Sequence, residues 1–292
     1  MKLLKYYGVY FLISALVIGA GLISLAVNGL RLGIDFTGGS LLEIQISQPT
    51  SQSITVAEVQ QAAATNFELS QVTTSGTNQF LLRGKSLTND QKNLVEASLG
   101  QLGQIKELRF ETVGPTLGKE LLQKTLAALV VVSVIITWFV ARQFHELKYG
   151  VSAILAMFHD TLVVVGSFSL LGWIFGVEVD VLFVTALLTT LSFSVHDTIV
   201  VFDRIRELHR KHPNVLLREL ADMAVLETMG RSLNNSLTII FMLLALVLMG
   251  GETIRWFAVA LLIGSVTGTY SSPFIAVPLL LEWDKWITGR RA

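Results

Sequence analysis

Six long apolar runs constrain this chain more than any other feature of its sequence. A bilayer core about 30 Å thick is crossed by a helix of roughly 20 apolar residues. The runs lie at residues 6–30, 125–141, 149–177, 181–201, 232–251 and 256–281. Charged residues interrupt the third run only at Asp160 and the fourth only at Asp197. The pattern therefore predicts an α-helical polytopic membrane protein with six transmembrane helices.

Composition narrows the classes of function. Only 15% of the 292 residues are charged, against roughly 25% in soluble proteins. The uneven distribution excludes a soluble enzyme, a disordered chain and a nucleic-acid binder that uses a basic patch. Several membrane-length runs also exclude a monotopic protein. Because the sequence has no cysteine, thiolate catalysis, a disulfide framework and a cysteine-ligated metal are excluded as well.

Basic residues in the short loops predict the orientation of the chain, since Lys and Arg concentrate on the cytoplasmic side. With the N-terminus inside, the outer short loops hold only Arg255. The inner segments then hold Lys2, Lys5, Arg142, Lys148, six residues from Arg204 to Arg231, and three in the tail, Lys285, Arg290 and Arg291. Both termini are therefore predicted to be cytoplasmic. The first run is too long for a usual cleavable signal and has no Ala-x-Ala end, which favours an uncleaved anchor.

The segment between the first two runs has the pattern of a water-soluble domain. Strands are predicted at 41–46, 69–74, 79–83 and 105–113, the last from the spacing of Ile105, Leu108, Phe110 and Val113. Helices are predicted at 55–66, with Thr55 and Glu58 as a capping box, and at 88–102. This β-α-β-β-α-β order is that of the ferredoxin-like split βαβ motif. We therefore predict a first span at 1–30, an extracytoplasmic α+β domain at 31–121 and a five-helix remainder at 122–292.

The fourth run carries polar side chains at helical spacing. They form two neighbouring stripes, Thr190, Ser194 and Asp197, and Thr189, Ser192 and His196. A carboxylate in the bilayer centre costs about 2.5–3.5 kcal/mol on insertion scales, so it is normally paired, protonated or beside a wet path. Both stripes are expected to face other helices. Interhelical hydrogen bonding and a transport role both remain open, and Asp197 favours transport.

The fifth run opens with a polar face formed by Arg231, Asn234, Asn235 and Thr238. Arg231 either extends to the inner headgroups or turns inward to pair with Asp197, and the sequence favours neither. Asp160, preceded by His159, lies near the middle of the third run and should not face lipid. Its role is either a packing hydrogen bond, which we favour, or a second proton site.

A segment rich in charged residues directly follows the fourth run. Asp203, Arg204, Arg206 and Glu207 have the i,i+3 and i,i+4 spacing of ion pairs on an exposed helical extension. No chemistry is assigned to them.

A glycine-rich segment follows the first run, with the sequence GIDFTGG at 33–39. It lacks the strand-loop-helix context of a phosphate-binding loop. A tight turn is the simpler interpretation, since glycine adopts backbone conformations that other residues avoid. Neither a metal site nor an organic cofactor is predicted.

Three motifs carry a resemblance to the SecF family of protein-export membrane proteins. They are GIDFTGG at 33–39, VGP at 113–115 and FSVHDTIVVFDRIR at 193–206. The similarity extends over essentially the whole chain. Members of that family usually have Asn at the position of His196 and often Tyr at that of Phe193.

The resemblance implies a non-enzymatic accessory subunit of the bacterial Sec translocon, within the resistance-nodulation-division superfamily. Its partners would be a SecD-like six-span subunit, the SecY-SecE-SecG translocon and translocating preproteins in the plasma membrane. The energy source would be the proton gradient, with Asp197 and Arg231 in the proton pathway and His196 and Asp160 as auxiliary candidates. Six motif residues would be structural: Asp35, Phe36, Gly38, Gly39, Gly114 and Pro115.

Two other functions remain open. The first is a small-molecule efflux transporter of the same superfamily at half size, although such pumps usually carry twelve spans and two outer domains. The second is an assembly subunit that transports nothing, in which the polar residues only hold helices together. Neutralising Asp197 separates a proton relay from an assembly role.

Overall fold

The computed structural model describes residues 3–47, 54–144 and 146–289. The chain forms two compact units. Leu32–Ala127 is the α+β domain, and Met1–Arg31 together with Ala128–Ala292 is the membrane bundle. Lys2, Arg290 and Arg291, which contributed to the predicted orientation, lie outside the described residues.

The helices and strands follow the order that the apolar runs and the soluble segment predict. The helices are α1 (Tyr7–Asn28), α2 (Ile34–Thr37), α3 (Val56–Ala63), α4 (Asn89–Leu99), α5 (Pro115–Gln143), α6 (Leu147–Phe175), α7 (Val181–Lys211), α8 (Leu217–Met249), α9 (Glu252–Ser271) and α10 (Val277–Thr288). The strands are β1 (Gly39–Ser47), β2 (Leu69–Gly76), β3 (Gln79–Gly84) and β4 (Gln104–Val113). Within the described residues, six helices are long and apolar enough to cross a membrane, the sixth combining α9 and α10. The predicted fold class is confirmed.

The α+β domain is built on an antiparallel sheet with the strand order β2-β3-β1-β4. Alternate residues of β1, such as Leu42, Ile44 and Ile46, are fully buried together with Val59 of α3 and Val95 of α4. The helices therefore cover one face of the sheet. This arrangement is the predicted ferredoxin-like one, with β-α-β-β-α-β along the chain.

Capping boxes begin the two longer helices of the α+β domain, α3 and α4. Thr55 accepts a hydrogen bond from the Glu58 amide, and the Glu58 carboxylate accepts one from the Thr55 amide at 2.8 Å. Thr88 and Gln91 form the same arrangement at the start of α4. These bonds satisfy amides that the first turn of a helix leaves without partners.

Strand β4 departs from the predicted spacing at Leu108. Glu43 of β1 pairs with Arg109 whereas the next residue, Ile44, pairs with Glu107, so Leu108 is the extra residue of a bulge. Ile105 and Phe110 pack against the domain core, but Leu108 is 40% exposed. The prediction that Leu108 belongs to the apolar face of this strand is wrong, because the bulge shifts the alternation.

Three spans form the centre of the membrane bundle. About half of the residues in the apolar windows of α6, α7 and the α9–α10 span are buried, against 17% or less in the other three spans. Small residues allow the central helices to approach one another closely. A Cβ atom added at Gly264 of α9 would overlap the side chain of Thr190 on α7, and one at Gly268 would lie 3.4 Å from the Cα atom of Ser194.

Helix α1 also packs closely against α6. A Cβ atom at Gly21 would lie 2.8 Å from the Cα atom of Gly166, and the converse distance is 2.7 Å. One turn further along, the hydroxyl groups of Ser24 and Ser169 are 2.9 Å apart. Small residues and interhelical hydroxyl bonds are the usual means of helix association in lipid, where the hydrophobic effect gives no net attraction.

A π-helical segment, Ser272–Ala276, interrupts the last span between α9 and α10. Pro273 lies within it, and proline cannot donate the backbone hydrogen bond of a regular helix. Hydroxyl groups of Ser271 and Ser272 take part in hydrogen bonds at this break. The irregular backbone is thus buried within the protein, as membrane depth requires.

The end of α7 carries the predicted ion pairs. Arg206 lies 3.3 Å from Asp203, and Arg204 lies 2.5 Å from Glu207. Arg204 also reaches Glu227 of α8 at 2.5 Å. The charged continuation of α7 beyond the apolar run is therefore helical, as its spacing indicated.

Candidate proton-transfer site

One of the two polar stripes on α7 faces the interior of the bundle. Thr190 and Ser194 are 3% and 1% exposed, and they lie against the glycines of α9. Asp197, the next member of this stripe, is half-buried. The Ser194 hydroxyl has no hydrogen-bond partner among the described residues.

The other stripe lies largely on the surface of this chain. Ser192 and His196 are exposed, and Thr189 is half-buried. Ser192 and His196 line an open pocket together with Ile136 and Phe139 of α5, so this stripe lies beside a second helix but is not packed against it. Its direction is set by the rotation of α7 about its axis, which buries the Thr190 side against α9.

Asp197 bonds to the neighbouring helix through serine. The Ser232 hydroxyl of α8 donates to Asp197 Oδ2 at 2.8 Å. Arg231 precedes Ser232 in the chain but is exposed, and of its contacts with described residues no ion pair to Asp197 is recorded. In this structure Arg231 is therefore exposed and forms no ion pair with Asp197.

A small cavity borders this carboxylate. Its volume is about 30 Å³, and its lining includes His196 and Asp197 of α7, Asn235 of α8, and Ser265 and Thr269 of α9. A cavity needs roughly 10–15 Å³ to hold one water molecule. The space is bordered by several polar side chains and is large enough for one water molecule beside the carboxyl group.

The polar face of α8 is exposed in this chain. All four residues of this predicted face are on the surface: Arg231, Asn234, Asn235 and Thr238. Thr238 satisfies its own hydroxyl by donating to the Asn234 carbonyl at 2.9 Å. Asn side chains have no comparable way to satisfy both donors and acceptors in lipid. This face requires water or another protein.

Asp160 lies apart from Asp197, in the interior of the bundle. It is 2% exposed. His159 Nδ1 is 2.9 Å from its Oδ1 atom, and the Ser271 hydroxyl donates to Oδ2 at 2.7 Å. The structure thus joins Asp160 to the last span and does not bring it into direct contact with Asp197.

Two partners of these carboxylates were missed by sequence reasoning. Ser232 follows Arg231 and so belongs to the start of the polar face on α8, which is the signal that could have identified it. Ser271 and Ser272 precede Pro273 inside an apolar run, and a serine pair before proline is a known signal of a helix irregularity. Neither signal says which carboxylate the serine contacts.

The glycine motif forms a close-packed turn within the α+β domain. Gly38 and Gly39 have φ values of 77° and 133°, which other residues rarely adopt. A Cβ atom at Gly38 would lie 2.8 Å from the Cα atom of Pro115, and one at Gly39 would lie 2.6 Å from the Gly84 carbonyl oxygen. Both geometry and space give a physical reason for glycine here.

The other motif residues surround this turn. Phe36 is 3% exposed and Asp35 is half-buried in the first turn of α2. Pro115 is the first residue of α5, a position where the missing amide hydrogen costs nothing. Gly114 precedes it with no neighbouring atom that would contact a Cβ.

Fold and site together define a class: a polytopic membrane protein with carboxyl groups inside its spans and one ferredoxin-like domain. Residues 94–286 match the family described as "Protein export membrane protein SecD/SecF, C-terminal", and residues 23–50 match the "SecD/SecF GG Motif". The chain belongs to the SecF family of protein-export membrane proteins. It is accordingly a multi-pass protein of the bacterial membrane.

Individual relatives support the assignment along the full length. The chain is 41% identical to the protein translocase subunit SecF of Thermobaculum terrenum, over 97% of this chain and 94% of the relative. It is 42% identical to that of Anaerolinea thermophila, over 94% and 91%. The crystal structure of SecDF, a translocon-associated membrane protein from Thermus thermophilus, superimposes with a TM-score of 0.84 at 29% identity. That match covers 96% of this chain but only 38% of the SecDF chain.

Proposed function

We propose that this chain is the SecF-like subunit of a SecD–SecF complex that assists Sec-dependent protein export with the proton gradient as its energy source. Its partners are a SecD-like six-span subunit, the SecY-SecE-SecG translocon and translocating preproteins. Both termini are cytoplasmic, and the α+β domain is extracytoplasmic. The chain acts as an accessory subunit rather than as an enzyme.

The exposed polar face of α7 and α8 is the observation that carries this proposal. Ser192 and His196 on α7, and Asn234 and Asn235 on α8, are exposed on helices of membrane-spanning length. Such groups are costly against lipid and normally face a protein or a water-filled path. A second six-span subunit supplies both, since a cavity closed between two bundles can hold water. The larger SecDF chain, of which this chain matches 38%, supports the same arrangement.

Asp197 is the proton-carrying group of the proposed relay. It lies at the border between the buried side of α7 and the exposed polar face, bonded to Ser232 and next to the cavity. A carboxylate is costly in the bilayer and a protonated carboxyl group much less so. Uptake of a proton by Asp197 from the outer side therefore lowers the cost of placing this part of α7 in an apolar environment. Release to the cytoplasmic side restores the carboxylate.

In this relay, Arg231 supplies the positive charge that stabilises Asp197 when its carboxyl group is ionised. It lies next to Ser232, which already bonds to the carboxylate. A guanidinium on a long flexible side chain can approach the carboxylate and withdraw when the charge is neutralised. The resulting change in the α7–α8 contact is transmitted along the chain to the α+β domain, because α1 and α5 are covalently continuous with it.

The decisive experiment uses the complex with its SecD-like partner, reconstituted with the translocon in vesicles. Asp197→Asn should abolish the stimulation of preprotein export by the proton gradient while the subunits still copurify. Asp203→Asn is the matched control, because it removes a carboxylate six positions further along α7, in an exposed ion pair with Arg206. Full stimulation in Asp197→Asn would reject the relay and leave an assembly role.

A further inference from the structure

Asp160 is buried, His159 beside it is largely buried, and the two form no ion pair with any other described residue. Asp160 is 2% exposed, and its recorded partners are His159 and Ser271. The pair carries one net negative charge when the imidazole is neutral and the carboxyl group ionised, and no net charge when it holds one further proton. An uncompensated buried charge is strongly disfavoured. Binding one further proton therefore removes the net charge of the pair.

The second nitrogen of His159 distinguishes this pair from a packing contact. His159 Nε2 is buried and has no hydrogen-bond partner among the described residues. A histidine whose only task was to anchor a carboxylate would use one nitrogen as donor and would be stabilised further by a partner on the other. Leaving Nε2 unbonded keeps the imidazole free to change its tautomer or charge as the pair gains and loses a proton.

The charge of Asp160 determines which acceptor the Ser271 hydroxyl donates to. It lies 2.7 Å from Asp160 Oδ2 and 3.3 Å from the carbonyl oxygen of Gly268. One hydroxyl hydrogen serves one of these acceptors well. The ionised carboxylate attracts the hydrogen, because hydrogen bonds to charged acceptors are stronger, whereas the protonated carboxyl group releases it to the carbonyl.

The Gly268 carbonyl continues the hydrogen-bonded chain to α7. It also accepts from Ser272 at 3.1 Å, and the Ser272 hydroxyl lies 3.0 Å from that of Thr198. Thr198 directly follows Asp197 in the sequence and is fully buried. The hydroxyl groups of Ser271, Ser272 and Thr198 all lie at or beside the π-helical segment. There the backbone lacks the regular hydrogen bonds of an α-helix and can rearrange at lower cost.

We propose that His159 and Asp160 form a second proton-binding site, and that the hydroxyl chain through Ser271 and Ser272 couples its occupancy to the helix of Asp197. The inference rests on the proposed proton-driven function and deepens it. A proton on Asp160 would reorganise the π-helical segment and thereby the α7 position at which Asp197 exchanges its own proton.

Among the described residues, further titratable groups lie on the helices that pack against α6. His196 and Asp197 are on α7, Tyr270 is the residue before the last of α9, and Tyr10 is on α1, where its carbonyl accepts from the Tyr270 hydroxyl at 3.0 Å. His159 is the titratable side chain in direct contact with Asp160, with its Nδ1 atom 2.9 Å from Asp160 Oδ1.

Infrared difference spectroscopy of the purified complex with its SecD-like partner tests this directly, by following carboxylic-acid carbonyl bands as a function of pH. One band should disappear in Asp160→Asn and a different one in Asp197→Asn. In Ser271→Ala, which keeps the carboxyl group, the Asp160 band should shift in frequency, because its carbonyl environment loses the hydrogen bond from the Ser271 hydroxyl. Ser152→Ala is the matched control, since Ser152 is buried on α6, the helix of Asp160, and its hydroxyl has no partner among the described residues.

The outcomes separate this inference from the proposed function. A spectrum in which neither Asp160→Asn nor Ser271→Ala changes any titrating band overturns the second site, whatever Asp197 does. If Asp160→Asn does not assemble, the shift in Ser271→Ala alone decides the matter. If the Asp160 band titrates but Asp197→Asn retains full gradient stimulation, the second site stands and the proposed relay fails.

Discussion

The α+β domain and the membrane bundle satisfy their polar groups in different ways. In the domain, the buried hydroxyl of Ser40 donates to Thr112 at 2.8 Å and accepts from the Leu87 amide at 2.7 Å. Both principal helices begin with a complete capping box. In the bundle, by contrast, polar side chains of α7 and α8 remain on the surface of helices that cross the membrane.

The difference follows from the solvent around each unit, which is water for the α+β domain and lipid for the membrane bundle. Water satisfies any polar group at the surface of the α+β domain, so the domain closes its core with its own residues. Lipid satisfies none, so the exposed polar face of the bundle indicates a second protein. Changes inside the domain should therefore damage folding, and changes on the bundle face should damage coupling in an assembled complex.

The largest effect is expected inside the domain, from Gly39→Val. The side chain would meet the Gly84 carbonyl oxygen in a backbone conformation with a φ of 133°. The combined cost is about 3 kcal/mol or more, a large part of a domain's stability. The yield of the assembled complex should fall severely, as measured by copurification and thermal unfolding.

Gly100→Ala is the control for that substitution, because Gly100 has a helical backbone and no atom within reach of an added Cβ. It should leave yield and unfolding unchanged. Normal assembly of Gly39→Val together with failed transport would show that the turn has a functional rather than a structural role.

The next largest effect is expected on the bundle face, from Arg231→Met. Removing the guanidinium leaves an ionised Asp197 without the counter-charge that the proposed relay requires, so gradient-stimulated export should fall severely in the vesicle assay. Arg231→Lys keeps the charge and should retain a substantial part of the stimulation. Arg210→Met, a change at an exposed residue near the end of α7, is the control. Equal activity of Arg231→Met and Arg210→Met would show that Arg231 only anchors the helix end.

Local signals made the α+β domain predictable. Thr55 and Glu58, three positions apart, mark the start of α3, and alternating apolar residues mark the strands. The bulge at Leu108 escaped prediction, because it depends on how β4 pairs with a strand more than 60 positions away. The strand itself was correct, and only one side chain was assigned to the wrong face.

The bundle was predictable as helices but not as contacts. Length and apolarity identify six spans, and the spacing of Asp197 identifies a polar face. The rotation of α7, which exposes His196 and buries Ser194, depends on Gly264 and Gly268 of α9 and has no local signal. Asp160 and Ser271 lie 111 positions apart, so that hydrogen bond could not be read from either segment.

A smaller effect is expected from His196→Asn. The side chain lies on the exposed stripe and lines the cavity beside Asp197. Asparagine has both a donor and an acceptor, so it can make the contact of a neutral histidine with the partner subunit. Gradient-stimulated export should change by less than about twofold, which is under 0.5 kcal/mol in barrier. A tenfold loss in an assembled complex would instead make His196 a direct proton carrier.

The smallest effect contrasts the two capping boxes of the domain. Hydrogen bonds from Thr55 lower the pKa of Glu58 below its ordinary value. The stability it contributes is therefore present above its unfolded-state pKa and is lost as pH falls through the lower folded-state pKa. Glu58→Gln should reduce the protection of the first turn of α3 from hydrogen exchange at neutral pH, and the difference from the parent protein should disappear in acid.

The second capping box provides the internal reference for that experiment. Gln91 does not titrate, so protection at the start of α4 should follow only the intrinsic pH dependence of amide exchange. Both helices can be followed as separate peptides of the same full-length protein, which removes differences in sample and pH. If Glu58→Gln altered protection of α3 equally at acid and neutral pH, the charge of Glu58 would have no part in the cap. The box would then depend on hydrogen-bonding shape alone, as in the Thr88–Gln91 pair.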